Sequence, residues 1–96
     1  LSTKGKVVVD SGAVLALKKQ KRSLLAAGIK EVEGNFQRGD IVNICNPEGV
    51  RLGCGITNYS SADIEVIKGA HSEQIATLLG YDYGAEVVHR NNLVIF

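Results

Sequence analysis

Short apolar runs, each soon closed by glycine or by a turn-forming cluster, constrain this chain more than any other feature. Eleven glycines are spread along it, and the apolar stretches between them are strand-sized. Only a few stretches repeat with helical spacing. Many short strands with glycine-rich turns favour a small closed or half-closed barrel, with helices plugging its ends. The chain has 96 residues, room for one domain. A domain of that size buries roughly 60–70% of its unfolded surface, enough for a core without metal or disulfides.

Lys6-Val7-Val8-Val9-Asp10 reads as a buried strand. Asp10-Ser11-Gly12 then offers a helix N-cap. The helix covers Ala13 to Gln20, with Ala13, Val14 and Leu17 on one face. Ser23 to Ile29 reads as a compact apolar loop, and Lys30 to Gly34 as a brief strand. Phe36, bracketed by turn residues, is a core candidate. Ile41 to Cys45 and the alternating Val50, Leu52, Cys54 and Ile56 form a hairpin around Asn46-Pro47-Glu48-Gly49, a type I turn. Simple pairing about Pro47-Glu48 sets Cys45 opposite Val50. It also turns Val42 and Ile44 away from Leu52, so either a bulge shifts the register or both faces are covered. Gly53 and Gly55 permit bending.

Ser60-Ser61-Ala62-Asp63 resembles a capping box, with Ile64 and Ile67 inward and Gly69 as the stop. Ser72 caps a second short helix with a stripe of Ile75, Leu78 and Leu79, closed by Gly80. Glu86 to His89 and Leu93 to Phe96 are the last strands, joined by an Asn91-Asn92 turn. The expected fold is mainly β with short helices, in the order β-α-β-β-β-α-α-β-β.

Net charge is +1, so no global basic signal marks nucleic acid as a partner. Cys45 and Cys54 do not face each other in this register and are not paired; a reducing cytoplasm is the expected compartment. No run approaches the ~20 apolar residues of a membrane helix. A zinc site from Cys45, Cys54, His71 and His89 lacks the close ligand pairs such sites use. No nucleophile elbow, phosphate loop or dinucleotide fingerprint is present, and Ser23, Ser60 and Ser61 have simpler roles as caps and turn formers. The one functional-looking charge feature is Lys18-Lys19-Gln20-Lys21-Arg22, which either draws phosphates or is a solvated helix end. Tyr59, Tyr81, Tyr83 and Phe96 could stack on bases, but they are not interleaved with cations. The chain contains no methionine, which suggests a domain cut from a longer protein.

Several stretches, in order, resemble the PUA domain that follows the kinase domain in bacterial glutamate 5-kinases. They are Val9-Asp10-Ser11-Gly12-Ala13 with Ala16-Leu17, Ser23-Leu24-Leu25-Ala26-Ala27-Gly28-Ile29, and Gly34-Asn35-Phe36-Gln37-Arg38-Gly39-Asp40. Gly55-Ile56-Thr57-Asn58-Tyr59-Ser60-Ser61, Ile67-Lys68-Gly69, Leu79-Gly80-Tyr81 and Val88-His89-Arg90-Asn91-Asn92-Leu93 complete the set, from about Gly5 to the end. The family usually has proline where Ala26 stands.

The resemblance implies a PUA pseudo-barrel spanning residues 1–96, excised from the C-terminus of a longer kinase. The parent it implies phosphorylates L-glutamate with ATP and Mg2+, the first step of proline biosynthesis. Those cofactors belong to the kinase domain, and none is implied for this one. The implied partners are the N-terminal amino-acid kinase domain of the same chain and, from PUA domains as a class, RNA. Carried over by position, the RNA surface is Gly12, Lys18, Lys19, Lys21, Arg22, Ser23, Leu25, Gly28 and Arg90. A regulatory or inter-domain role comes first, an RNA-binding module second, and a free-standing enzyme last, since no catalytic set is visible.

Overall fold

The computed structural model describes residues 3–96. Seven strands and three short helices follow one another as β1 (Gly5–Val9), α1 (Ser11–Lys19), β2 (Leu24–Leu25), β3 (Ile29–Gly34), β4 (Ile41–Cys45), β5 (Arg51–Ile56), α2 (Ser61–Ile67), α3 (Ile75–Leu79), β6 (Glu86–Val88) and β7 (Leu93–Ile95). Three 3-10 turns join them at Ala26–Gly28, Ser72–Gln74 and Arg90–Asn92. A five-stranded sheet runs β3-β1-β4-β5-β7, and β2 pairs with β6 in a second, small sheet. The mainly β class with short helices is as expected. The order gains one strand, because the apolar loop after α1 contains β2, whose Leu24 lies opposite Val88. That pairing spans more than sixty residues of sequence, so no local pattern announces it.

The three consecutive valines of β1 suit its place. It lies between β3, antiparallel, and β4, parallel, and Val7, Val8 and Val9 are all buried. Asp10 ends the strand and caps α1, its Oδ1 accepting from the Ala13 N–H at 2.7 Å. Such a cap contributes about 1 kcal/mol. Leu17 is the buried anchor of α1, with Ala13 and Val14 packed partly behind it.

The β4–β5 hairpin resolves the awkward register in two single-residue steps. Asn46 and Val50 close a three-residue loop, in which Gly49 takes φ 87; only glycine adopts that conformation cheaply. Cys45 therefore faces Arg51 rather than Val50. Leu52 is then the extra residue of a bulge, and Ile44 faces Gly53. Val42 and Ile44 thus share the inner face with Gly53 and Gly55, and the bulge lets Leu52 join the same core. Val50 and Ile56 point to solvent instead, and Cys54 is half-buried. The two glycines leave room for the last strand. A Cβ on Gly53 would collide with the Val94 carbonyl, and one on Gly55 would lie 2.8 Å from the Asn92 carbonyl.

Thr57-Asn58-Tyr59-Ser60-Ser61 is the clasp of the fold. The Asn58 N–H donates to the Val87 carbonyl at 2.7 Å and its side-chain amide to the Glu86 carbonyl at 3.1 Å, fastening β6 to the end of β5. Ser60 caps α2 through the Asp63 N–H, and Ser61 Oγ accepts from the Phe36 N–H. Ile64, Ile67 and Ile75 are fully buried. Leu78, expected inward, is exposed, because α3 is little more than one turn long and Leu79 takes the inner position. His71, not Ser72, stands at the cap of the preceding 3-10 turn. No helix among the described residues is long and apolar enough to cross a membrane.

Candidate nucleic-acid interface

The basic run sits where α1 runs out. Lys18 and Lys19 form its last turn, and Lys21 and Arg22 the turn that follows; all four are exposed. Lys21 takes φ 52, the only non-glycine residue in the left-handed region among the described residues. That conformation lets the Arg22 N–H return to the Ala16 carbonyl and turns the chain into β2. A lysine there costs about 1 kcal/mol relative to an unstrained residue. Lys21→Gly is expected to raise stability by about 1 kcal/mol in a urea melt, while weakening any polyanion bound at this surface. A destabilised variant would remove strain from this account.

Two shallow clefts flank α1. One, of about 310 Å³, lies between the helix and the β2 segment and is lined by Asp10, Ala13, Arg22, Ser23, Leu25 and Gly28 among others. The other, of about 380 Å³, is formed by Leu17, Lys18, Lys21, Arg90, Leu93 and Ile95. The Ser23 Oγ accepts the Arg90 N–H at 2.8 Å, so the loop after α1 and the turn before β7 are held together. The structure therefore gathers Lys18, Lys21, Arg22, Ser23, Leu25, Gly28 and Arg90 around two adjoining hollows. Gly12 and Lys19 stand on α1 outside both linings. Two ion pairs occur among the described residues, Lys6 with Glu33 and Lys68 with Glu65. Neither involves this cluster, so its cations are free to meet a ligand.

The two glycines of the surface have different reasons to be there. A Cβ on Gly28 would lie 2.7 Å from that of Ala13, so Gly28 is needed for the loop to close on α1. A Cβ on Gly12 would meet nothing nearer than Asp10 Oδ1 at 3.4 Å, and Gly12 is exposed in the first turn of α1. Packing does not demand glycine there.

Of the candidate stacking residues, Tyr59 is excluded. It is fully buried, its hydroxyl donating to the Gly84 carbonyl at 2.6 Å and accepting from the Tyr83 N–H at 2.9 Å. Burial pushes its phenol up. Tyr81 and Tyr83 are exposed neighbours, with the Arg38 guanidinium 3.9 Å from the Tyr83 ring centroid, and no residue of either cleft belongs to this group. Phe96 is exposed near Arg51. Sequence reasoning missed the Arg38–Tyr83 contact, since the two lie 45 positions apart with no shared motif.

The Tyr81 hydroxyl donates to Asp63 Oδ1 at 2.6 Å, and this bond, with a smaller part from desolvation, pushes its phenol up to about 12. The unfolded phenol titrates near ~10. The folded state holds the proton more tightly, so the contribution is fully present below ~10 and is lost as pH rises through the folded value. An alkaline absorbance titration is expected to show two late phenols, Tyr59 and Tyr81, of which one is missing in Tyr81→Phe. A late absorbance change of undiminished size in that variant would assign the step away from Tyr81.

Among the described residues no three His, Cys, Asp or Glu side chains come together as a metal-binding group. Cys45 and Cys54 are free thiols, and His89 Nδ1 accepts the Asn91 N–H.

Comparison with known proteins bears on the family and the fold. The chain is 55% identical over 95 residues to a glutamate 5-kinase of Dehalococcoides mccartyi, covering 99% of this chain and 26% of that protein. It is 50% identical over 95 residues to the glutamate 5-kinase of Thermus thermophilus, with the same coverage. The chain thus spans about a quarter of the length of the curated relatives it matches. Among solved structures, a PUA domain from Aeropyrum pernix superimposes with a TM-score of 0.65 at 29% identity, covering 90% of this chain and 41% of that one. The sequence profile of the PUA domain matches residues 5–79, from the first residue of β1 to the last of α3. With the profile matching most of its length and the superposition on a solved PUA domain in agreement, this chain belongs to the PUA domain family.

Proposed function

We propose that this chain is the accessory domain of a glutamate 5-kinase and works by contact with the catalytic part of that enzyme. The observation that carries this reading is the 55% identity along 99% of the chain to a glutamate 5-kinase about four times as long. Near-neutral charge and few aromatic residues also favour a protein contact over a general nucleic-acid binder. On this reading the catalytic part phosphorylates L-glutamate with ATP and Mg2+, in a reducing cytoplasm. This domain tunes its regulation by the pathway product or its oligomer geometry. The test is deletion of this domain from the full-length polypeptide, followed by kinetics and sedimentation. Turnover should persist while product inhibition or subunit assembly changes. An enzyme unchanged in both would remove the accessory role.

A second reading is favoured by one observation, the cluster of Lys18, Lys19, Lys21, Arg22 and Arg90, which has no acidic partner among the described residues. It makes the surface around α1 a binding site for RNA phosphates. Gly12, free of any packing need, would let a ligand backbone approach the start of α1.

A further inference from the structure

The five-stranded sheet has a second face, turned away from the core and from α1. One row of residues crosses it from strand to strand: Lys6, Asn43, Cys54 and Val94 are successive partners. Ile41 and Ile56 pair in the neighbouring row on the same side. Val94 is 58% exposed, Ile56 40% and Phe96 61%. Side chains two apart share a strand face, so Phe96 extends the side that bears Val94. Between β5 and the start of β7 the surface dips into a groove of about 290 Å³, lined by Ile41, Cys54, Ile56, Leu93 and Val94 with Asn91 and Asn92 at its rim. No charged residue lines it. Scattered exposed apolar residues need no explanation, but a contiguous uncharged groove does.

We propose that this outer face of β4, β5 and β7 is the surface on which the catalytic part of the same polypeptide docks. The proposal rests on the reading of the chain as an accessory domain. Two observations select that occupant. About three quarters of the length of the kinase relatives lies outside the match, so a large covalent neighbour accompanies this domain in them. The chain also enters the domain on this face. The Asn43 amide donates to Thr3 Oγ1 at 3.0 Å, and the Lys4 N–H to the Ile41 carbonyl at 3.0 Å. Thr3, which leads into β1, is thereby held beside the Asn43–Cys54–Val94 row. A partner tethered there reaches the groove at high effective concentration, so a modest apolar patch suffices for docking. None of the cations at the end of α1 lines the groove.

The experiment uses the full-length polypeptide carrying this domain. Ile56→Glu with Val94→Glu places two charges in the groove at positions already open to solvent. A milder pair, Ile56→Thr with Val94→Thr, keeps β-branched strand residues and guards against misfolding. Lys19→Glu with Arg22→Glu serves as the control, at exposed positions outside the groove lining. Small-angle scattering and the rate of protease cleavage between the domain and the rest are measured for each. A docked domain predicts that both groove variants, but not the control, increase the radius of gyration and speed cleavage several-fold. Unchanged scattering and cleavage in both groove variants overturn the proposal. So does a change confined to subunit number with the domain still docked, since the occupant would then be a second copy. Failure of the accessory reading is separate: it appears as a domain deletion that leaves the enzyme's regulation and assembly unaltered.

Discussion

Phe36→Ala is expected to bring the domain to the edge of unfolding. Phe36 is 1% exposed, and its ring lies against Gly5, where a Cβ would come within 2.8 Å of it. Its backbone is held as firmly. The N–H donates to Ser61 Oγ at 3.1 Å, and the carbonyl accepts the Ser61 N–H at 3.0 Å. Truncating such a ring cannot be relieved by collapse, because both neighbours are pinned to it. Loss of a buried Phe costs about 3–5 kcal/mol. A chain of this length holds only roughly 5–14 kcal/mol in total. Urea denaturation should show the midpoint falling by a large fraction, while Val94→Ala, on the exposed face, stays within about 0.5 kcal/mol. A cost for Phe36→Ala below about 1 kcal/mol would mean the ring is not the link between β1 and α2.

Reversing charge at the end of α1 is expected to remove RNA binding and leave the fold alone. Lys19 and Arg22 are both exposed and carry no ion pair among the described residues, so replacing them with glutamate breaks nothing in the core. Removing one cation–phosphate interaction lowers the slope of log affinity against log salt by about one. Fluorescence anisotropy with folded and unfolded RNA at two salt concentrations reads this directly. Affinity that falls steeply with salt, and vanishes in Lys19→Glu with Arg22→Glu, would place phosphates at α1. Affinity unchanged in the double variant would remove the RNA reading and leave the domain's contacts with protein as its sole proposed role.

Much of the fold was legible because its signals are local. Asp10 caps α1, Ser60 caps α2, and the limits of β4 are where the alternation and the Asn46 turn put them. The basic run was legible for the same reason. What escaped the sequence depends on partners far along the chain. Two residues are too few to reveal β2 without its mate β6. Leu52 is out of step with Ile44 in any simple register, and only the bulge brings it to the same core. Tyr59 resembles a stacking residue in sequence, but Asp82, Tyr83 and Gly84 close over its hydroxyl.

By itself the sequence determined which stretches become strands and helices, β2 excepted, and that a mainly β domain results. Caps, turns and alternation act over a few residues and need no third dimension. Only the tertiary structure decided which face of the sheet became core, because bulge and turn each shift pairing by one residue and the glycines at 53 and 55 must admit β7. Only the tertiary structure, too, brought Arg90 beside Ser23, uniting cations more than sixty positions apart at the end of α1. A binding surface is a property of proximity in space, and proximity across that distance is set by sheet pairing, not by neighbours in the chain.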